Sequence, residues 1–509
     1  LSFPAPPALG APARFAQWRP GQDDIFARLL GSSSRFPVLD MPTGTGKSLV
    51  YVTFMKYLEE RGLGITSTRG LQDQLMREFG SIGMADARGL QNYHCGTLPP
   101  RPSNTCQVGA DKGCEMMYRG CPYSNARQEA SKAQLALTNY GLHLALARGD
   151  EGFGPRGILV LDEAHDAAEW LSSAMRVSLK GEEWSTGEWP TGDAAWHVAG
   201  WSAWAYKQLP ALVAELKLEE PGSEEARKLK RLVQDLTRLS TIGQGERWVW
   251  YLTEKGVELE PVWPAPYAER YLFQGIQKVV LSSATLRPQA LKYLGLEAGA
   301  YEFISALSPF PAARRPIYHV KTARMKWGMS DFDMQVWLNR IDEVIEGRQD
   351  RKGIIHAVSY DRAKYIKAQS RYGASMVLPA RGRLREDVAR FKSMRAPAIL
   401  ISPAVHTGYD FPYDQARYQI IAKVPFLPPS ALLEMRSSDD KLYRDWTAAA
   451  TITQMAGRVV RAADDLGETF VLDDSIRWLM AKQELWPGWL REAYRGQLTK
   501  VPDAPKLEA

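Results

Sequence analysis

Three groups of residues have the types and the spacing to do chemistry. The first is MPTGTGKS, Met41 to Ser48, which follows a short apolar run and precedes apolar residues at helical spacing. Gly44 and Gly46, flanking Thr45, let the main chain approach phosphate oxygens closely. Lys47 adds a point charge and the Ser48 hydroxyl is a ligand for Mg2+, so the stretch is composed to cradle the β- and γ-phosphates of a nucleotide. Met41 stands where that pattern usually begins with glycine. The second group, Asp162 and Glu163, ends the apolar run Ile158 to Leu161. Carboxylates at the C-terminal edge of a parallel strand sit where α/β sheets bind ligands. There Asp162 would hold Mg2+ through water, and Glu163 would orient and activate the attacking water. The third group is Gln454, Arg458 and Arg461 in TQMAGRVVR. On a helix they share one face at i, i+4 and i+7, which presents two arginines to charge developing on a departing phosphate.

Elements able to position these groups are visible around them. The runs RKGIIHAVSYDRAKYI, PAILISPAVHTGYDFP, RYQIIAKVPF and ETFVLDD each read as a strand entering a polar turn, so the arginines belong to a second α/β core. The expectation is an α/β chain with ATP in a cleft between two lobes that close and reopen as it is bound and hydrolysed.

The whole chain supports large cores: 509 residues, 45% hydrophobic and 24% charged. No apolar run reaches the roughly 18 residues of a membrane span, and the first twenty residues lack an apolar signal core, which predicts a cytoplasmic protein without membrane association. The net charge is +6, but positions 347 to 395 alone carry 13 Lys and Arg against 4 Asp and Glu, which suits either a solvated helix face or a nucleic-acid groove. All four cysteines, Cys95, Cys106, Cys114 and Cys121, lie between Asn92 and Tyr123, with gaps of 10, 7 and 6 residues. A reducing compartment disfavours disulfides. Zinc sites generally include a close C-x2–4-C pair, which this block lacks, and wide spacing suits a cuboidal iron–sulfur cluster, although both metal readings stand at this point.

Taken in order, RPGQ (Arg19 to Gln22), MPTGTGKS, TSTRGLQDQL, the cysteine block, LTNYGL, DEAH, LSSATL, SPFP, HAVSY, HTGYDFP and QMAGRVVR resemble the superfamily 2 helicases of the XPD/DinG type, over about residues 15 to 475. The resemblance implies two RecA-like parallel-sheet motor domains, with a small iron–sulfur insert and a mainly helical arch insert in the first. It divides the chain into motor domain 1 at 1–88, 137–176 and 262–306, the iron–sulfur insert at 89–136, the arch at 177–261 and motor domain 2 at 307–509. It also implies that Gln22 reads adenine, that Ser283 to Thr285 couple hydrolysis to movement, and that Asp410 joins Gln454, Arg458 and Arg461 in closing the ATP site. Arg69, Ser359 and the Thr407–Gly408 region are expected to touch the strand, and the four cysteines to hold a [4Fe–4S] cluster. Many relatives carry glutamate where this chain has Thr407. The implied activity is ATP-dependent translocation 5′ to 3′ on single-stranded or forked DNA, or R-loops, by a monomer that accepts accessory partners and, in a bacterium, works at the nucleoid. The rival readings are an ATPase that remodels R-loops or protein–DNA complexes without processive unwinding, and a non-catalytic DNA-binding scaffold.

The second insert carries Trp184, Trp189, Trp196, Trp201, Trp204, Trp248 and Trp250. Helical spacing of Trp196, Trp201 and Trp204 favours the core of a small helical domain over base-stacking platforms. ELKLEEPGSEEARKLKRLVQDL reads as two helices broken at Pro221–Gly222.

Overall fold

The computed structural model describes residues 3–99, 101, 105–107, 120–149, 151–180, 190, 197–220, 223–243, 245–254, 256–326, 328–380, 382–405 and 408–506. The runs ending in the phosphate loop and in the acidic pair become β1 (Phe36–Asp40) and β5 (Ile158–Asp162) of one sheet. Between them come β2 (Gly62–Thr66), β3 (Met84–Asp86) and β4 (Leu135–Asn139). The chain then leaves for an insert containing β6 (Val177–Lys180), β7 (Trp248–Thr253) and β8 (Gly256–Pro261), and returns to the sheet through β9 (Lys278–Ser283) and β10 (Tyr301–Ser305). The seven strands lie in the order β10-β1-β9-β5-β2-β4-β3 with every pairing parallel. A parallel sheet needs both faces covered, which is why FPVLD and ILVLD are apolar almost throughout. On one face the helices Gln22–Gly31, Lys47–Tyr57 and Arg69–Phe79 bury Phe26, Val50, Phe54 and Phe79. On the other, Tyr140–Arg148 and Ala167–Met175 bury Tyr140, Leu142 and Leu171.

The second lobe repeats the plan with β11 (Ile317–Val320), β12 (Gly353–His356), β13 (Met376–Val377), β14 (Ile399–Ser402), β15 (Tyr418–Ile421), β16 (Glu468–Val471) and β17 (Tyr494–Leu498). Their order is β13-β14-β12-β15-β16-β11-β17, again parallel throughout. The helix Tyr443–Ala456 carries the Gln454 motif into the cleft facing the first lobe. None of the described helices is long and apolar enough to cross a membrane.

Two expectations change in detail. The arch-like insert contains the expected helices, Val198–Leu218 and Glu224–Ser240, but packs them on an antiparallel sheet ordered β6-β8-β7. In GVELEP, Val257 and Leu259 alternate with Glu258 and Glu260 and are the residues buried in the insert's core, whereas its partner WVWYLT is apolar almost throughout and shows no such alternation. Trp201, Trp204 and Trp248 are buried in the insert's own core, while positions 184, 189, 196, 221 and 222 lie outside the described residues. The basic run at 347–395 is not one charged face. Arg348 is fully buried in a two-pronged ion pair with Glu468 at 2.7 Å, Arg351 pairs with Asp350, and Lys352 donates to the Phe391 and Lys392 carbonyls. Counting charges along a chain cannot separate such buried pairs from a free cationic surface.

The lobes meet along a polar and aromatic seam. Arg436, 3% exposed, donates to the Val262 carbonyl, the Ser172 hydroxyl and the Tyr443 hydroxyl, and pairs with Glu169. Asp440 accepts from Arg287 and Tyr293 of the first lobe. Asp439 accepts from Arg247 of the insert at 2.7 Å and from the Trp263 indole at 2.8 Å.

Candidate active site between the lobes

The phosphate loop is shaped by two left-handed glycines, Gly44 at φ +81° and Gly46 at φ +82°, a conformation that side chains other than hydrogen rarely adopt. Lys47 opens the following helix and its ammonium reaches back to the Met41 carbonyl at 3.2 Å, while Thr45 is pinned to the Pro42 carbonyl at 2.7 Å. The loop is also held from outside. Gln22 donates to the Thr45 carbonyl at 2.7 Å and Arg19 to the Gly44 carbonyl at 2.7 Å. The Gln22 amide lies so near Gly46 that a β-carbon there would meet it at 2.4 Å. Gln22 therefore braces the loop in this structure.

Asp162 and Glu163 stand at the end of β5, and both are buried. Asp162 accepts from the Tyr51 hydroxyl at 3.2 Å and the Ser282 hydroxyl at 3.3 Å. Burial, with repulsion from Glu163, pushes its carboxyl up to about 6. Glu163 moves the other way: burial opposes its charge, but Lys47, His165, Arg458 and Arg461 together outweigh burial and hold it below the usual carboxylate range. Its backbone is left-handed at φ +51°, a strained setting for this residue type. Ser48, Asp162 and Glu163 line one cavity of about 250 Å3 with Lys47, Arg458 and Arg461. Adjacent buried carboxylates, one with a raised pKa, fit a divalent cation, whose charge would relieve their repulsion.

The second lobe supplies the opposite wall. Gly457 is seated on the phosphate loop, where an added β-carbon would meet the Thr43 hydroxyl at 2.0 Å; at Gly44 it would meet an Arg461 guanidinium nitrogen at 3.0 Å. Asp410 pairs with Arg461 and, at 3.5 Å, with Arg458. Arg458 also donates to the Tyr409 carbonyl at 3.0 Å, and its burial beside Arg461 lowers its pKa to about 10. Gln454 faces elsewhere: its amide meets His165 Nε2 at 2.6 Å, and His165 Nδ1 meets the Ser283 hydroxyl at 2.9 Å. Ser283 in turn accepts from the Thr285 backbone N–H at 3.1 Å. His165, Tyr51, Ser282, Thr43 and Arg19 were not singled out by residue type and spacing; His165, two positions after Glu163, was the most accessible of them.

The residues expected to touch a strand divide. Arg69 is exposed at the start of its helix and lines an interlobe groove of about 870 Å3 with Arg77, Arg88, Arg385 and Gly408. Arg385 crosses the groove to Asp73 at 3.2 Å, and Arg88 reaches the same carboxylate at 2.8 Å. Ser359 instead caps the helix Tyr360–Gln369 by accepting from the Arg362 N–H at 3.3 Å. Thr407 lies outside the described residues.

Of the cysteines, Cys95, Cys106 and Cys121 are buried, and Cys114 lies outside the described residues. A single antiparallel bridge, His94 to Thr105, brings the first two together. Burial raises the Cys106 thiol pKa, and Cys121 and Cys95 lie near enough to raise it further. Cys121 accepts from the Ser124 N–H at 3.2 Å at the start of the helix Pro122–Lys132. No set of three or more ligating side chains at metal-holding geometry occurs among the described residues. Buried thiols at Cys95, Cys106 and Cys121 are donors of the kind a thiolate-held metal needs, but the described residues alone do not assemble such a site.

A DEAD/DEAH box helicase model matches residues 19–181, and a helicase C-terminal domain model matches residues 355–493. No curated protein matches the chain. Among solved structures, an XPD helicase superposes with a TM-score of 0.61 at 15% identity, covering 94% of this chain and 98% of that one. Xpd4 of S. tokodaii superposes with a TM-score of 0.56 at 13% identity, covering 94% and 100%. Dbp5 of S. cerevisiae, bound to RNA and ADP BeF3, superposes with a TM-score of 0.50 at 12% identity, covering 95% and 90%. With both helicase domains in order and their motifs facing one cleft, the chain belongs to the superfamily 2 ATP-dependent helicases and has the XPD-type fold.

Proposed function

We propose that this chain is a motor that hydrolyses ATP to advance 5′ to 3′ along single-stranded DNA and separate a fork ahead of it. The observation that carries this reading is the seating of Gly457 on Thr43: groups from both lobes enclose one cavity, so filling and emptying it moves the lobes relative to each other. Gly44, Thr45, Gly46, Lys47 and Ser48 would grip the phosphates, and Gln22 would exchange part of its hold on the loop for adenine. Mg2+ would neutralise phosphate charge between Ser48 and Asp162. Glu163, kept ionised by its cationic neighbours, is suited to position the attacking water, and Arg458 and Arg461 to meet the charge of the transition state. Gln454, His165 and Ser283 form the contact through which one lobe reports on the other.

Arg69, Arg88 and Arg385 supply phosphate contacts in the interlobe groove, a role that Ser359 would share only by releasing its cap. Cys95, Cys106, Cys114 and Cys121 would hold a [4Fe–4S] cluster that staples an insert too small to build its own core. The chain is proposed to work as a monomer at forks or R-loops.

The test is ATP hydrolysis with and without single-stranded DNA, with Lys47→Ala and Glu163→Gln as controls. Stimulation by the strand that both variants lose is the expected result, and no stimulation of the wild type removes the motor reading. Forks with a 5′ or a 3′ tail decide direction, and matched RNA and DNA strands decide the nucleic acid. Preference for a 3′ tail or for RNA overturns those parts separately.

A further inference from the structure

The cleft holds a second cavity, of about 460 Å3, on the other side of the Gln454–His165 contact from the phosphate loop. We propose that it receives an unstacked nucleobase of the bound strand, an inference that rests on the strand-binding reading above. Its walls are aromatic and come from both lobes. Trp170 lines it, stacked on Tyr140 at 6.1 Å and 9°. Trp263 and Tyr293, stacked on each other at 4.0 Å and 10°, line it with Tyr443 and Trp446, Arg436 covering a face of Trp263 and of Tyr443 and Arg287 a face of Trp446. Base-sized planar groups are what such walls hold well, and without regard to sequence, because every base has a π-face.

Charge selects the base over the phosphate. Asp166 and Glu169 line the cavity, and its one arginine, Arg436, is already engaged by Glu169, Tyr443, Ser172 and the Val262 carbonyl. The cavity sets one arginine against these two carboxylates, whereas the neighbouring groove sets Arg69, Arg77, Arg88, Arg385 and Lys392 against Asp73, Glu78, Glu386 and Asp410, so the cationic excess that attracts phosphate lies in the groove. Thr68 lines both spaces, so a backbone in the groove is continuous with a base in the cavity. The inner end is formed by His165 and Gln454, and Trp446 donates to the Thr285 carbonyl at 3.1 Å. A base seated here touches the same side chains that join the two halves of the hydrolytic site, which makes occupancy of the strand site felt at the nucleotide.

The experiment compares binding of a thymidine oligonucleotide with that of an equally long oligonucleotide of abasic sites. It uses the full chain, Thr447→Trp, which fills the cavity from the helix Tyr443–Ala456, and Trp170→Ala, which removes a wall. The wild type is expected to bind the thymidine strand on the order of tenfold more tightly than the abasic one. Both variants should shrink that ratio to about twofold and leave the slope of log affinity against log salt unchanged, because phosphate contacts are untouched. Variants that keep the full ratio, or that lose affinity equally for both strands, overturn the proposal. Wild type binding both strands alike removes the base pocket and leaves strand binding intact, whereas binding of neither removes the strand reading itself. Saturable quenching of tryptophan fluorescence by free adenosine, with no discrimination between strands, assigns the cavity to a small molecule instead and also overturns it.

Discussion

Gly457 of the second lobe rests on Thr43 of the first so closely that a β-carbon would fall 2.0 Å from the Thr43 hydroxyl and 2.7 Å from its β-carbon. Gly457 has φ −81°, a conformation open to any residue, so alanine there introduces no backbone strain. Gly457→Ala should therefore hold the lobes apart without unfolding either. The expected result is ATP hydrolysis reduced by more than about tenfold, with thermal unfolding shifted by only a few degrees. Steady-state kinetics and calorimetry on the same preparation check it.

Asp162 gives the site a pH dependence. Its carboxyl protonates at about 6 rather than 3.8, so the folded chain binds that proton more tightly than the unfolded one. The stability this group contributes is present below pH 3.8 and is lost as pH rises through 6. Asp162→Asn should thus raise stability at pH 8 by about 2 kcal/mol while abolishing hydrolysis. In the wild type, hydrolysis at limiting Mg2+ should fall below about pH 6, and added Mg2+ should move that limb to lower pH by competing with the proton. A limb insensitive to Mg2+ would detach Asp162 from the metal.

Removing the proposed cluster should be local. Anaerobically purified protein should be brown, with about four iron atoms per chain and little zinc. Cys106→Ser or chelation should bleach it and open positions 89–136 to protease, while Lys47-dependent ATP hydrolysis without DNA persists. A colourless protein with stoichiometric zinc selects the other metal.

The relay across the cleft predicts a separation of activities. Ser283→Ala deletes the hydroxyl partner of His165 Nδ1, leaving that nitrogen its 3.5 Å approach to Glu163, and alters no side chain that lines the nucleotide cavity. Fork separation should fall by about tenfold and ATP hydrolysis by no more than twofold to threefold. Equal losses in both assays would make Ser283 a merely structural residue.

Arg436 tests the seam. Its truncation to alanine leaves Ser172, Tyr443 and the Val262 carbonyl without their shared donor and should destabilise the chain by about 2–4 kcal/mol. Lysine cannot reproduce the planar fork and should recover less than half of that loss. Chemical denaturation of the two variants decides.

What could be read from residues alone was what local chemistry dictates. The phosphate loop is legible because Gly44, Gly46 and Lys47 are required by one backbone shape, and the acidic pair because an apolar strand must end beside it. The shared helix face expected for Gln454, Arg458 and Arg461 did not form: the helix ends at Ala456, so Arg458 and Arg461 reach the nucleotide cavity from the segment after it, while Gln454 turns to His165. Contacts that depend on where distant segments meet were not legible. His165 and Gln454 are 289 positions apart, and the binding of Gln22 to Thr45 is a choice between two acceptors for one amide. Arg348 illustrates the reverse error, since a cation counted towards a surface is buried against Glu468. The hairpin of β7 and β8 was legible only in half: β8 alternates, with Val257 and Leu259 buried on either side of Glu258, but β7 is apolar almost throughout, and the pairing depends on Trp248 and Leu259 packing on the insert's helices.

Asp439 of the second lobe holds Arg247 of the insert and the Trp263 indole of the first lobe with one carboxylate. The insert is thereby fastened to both lobes, and a displacement of one lobe against the other must either carry Arg247 with it or part this ion pair.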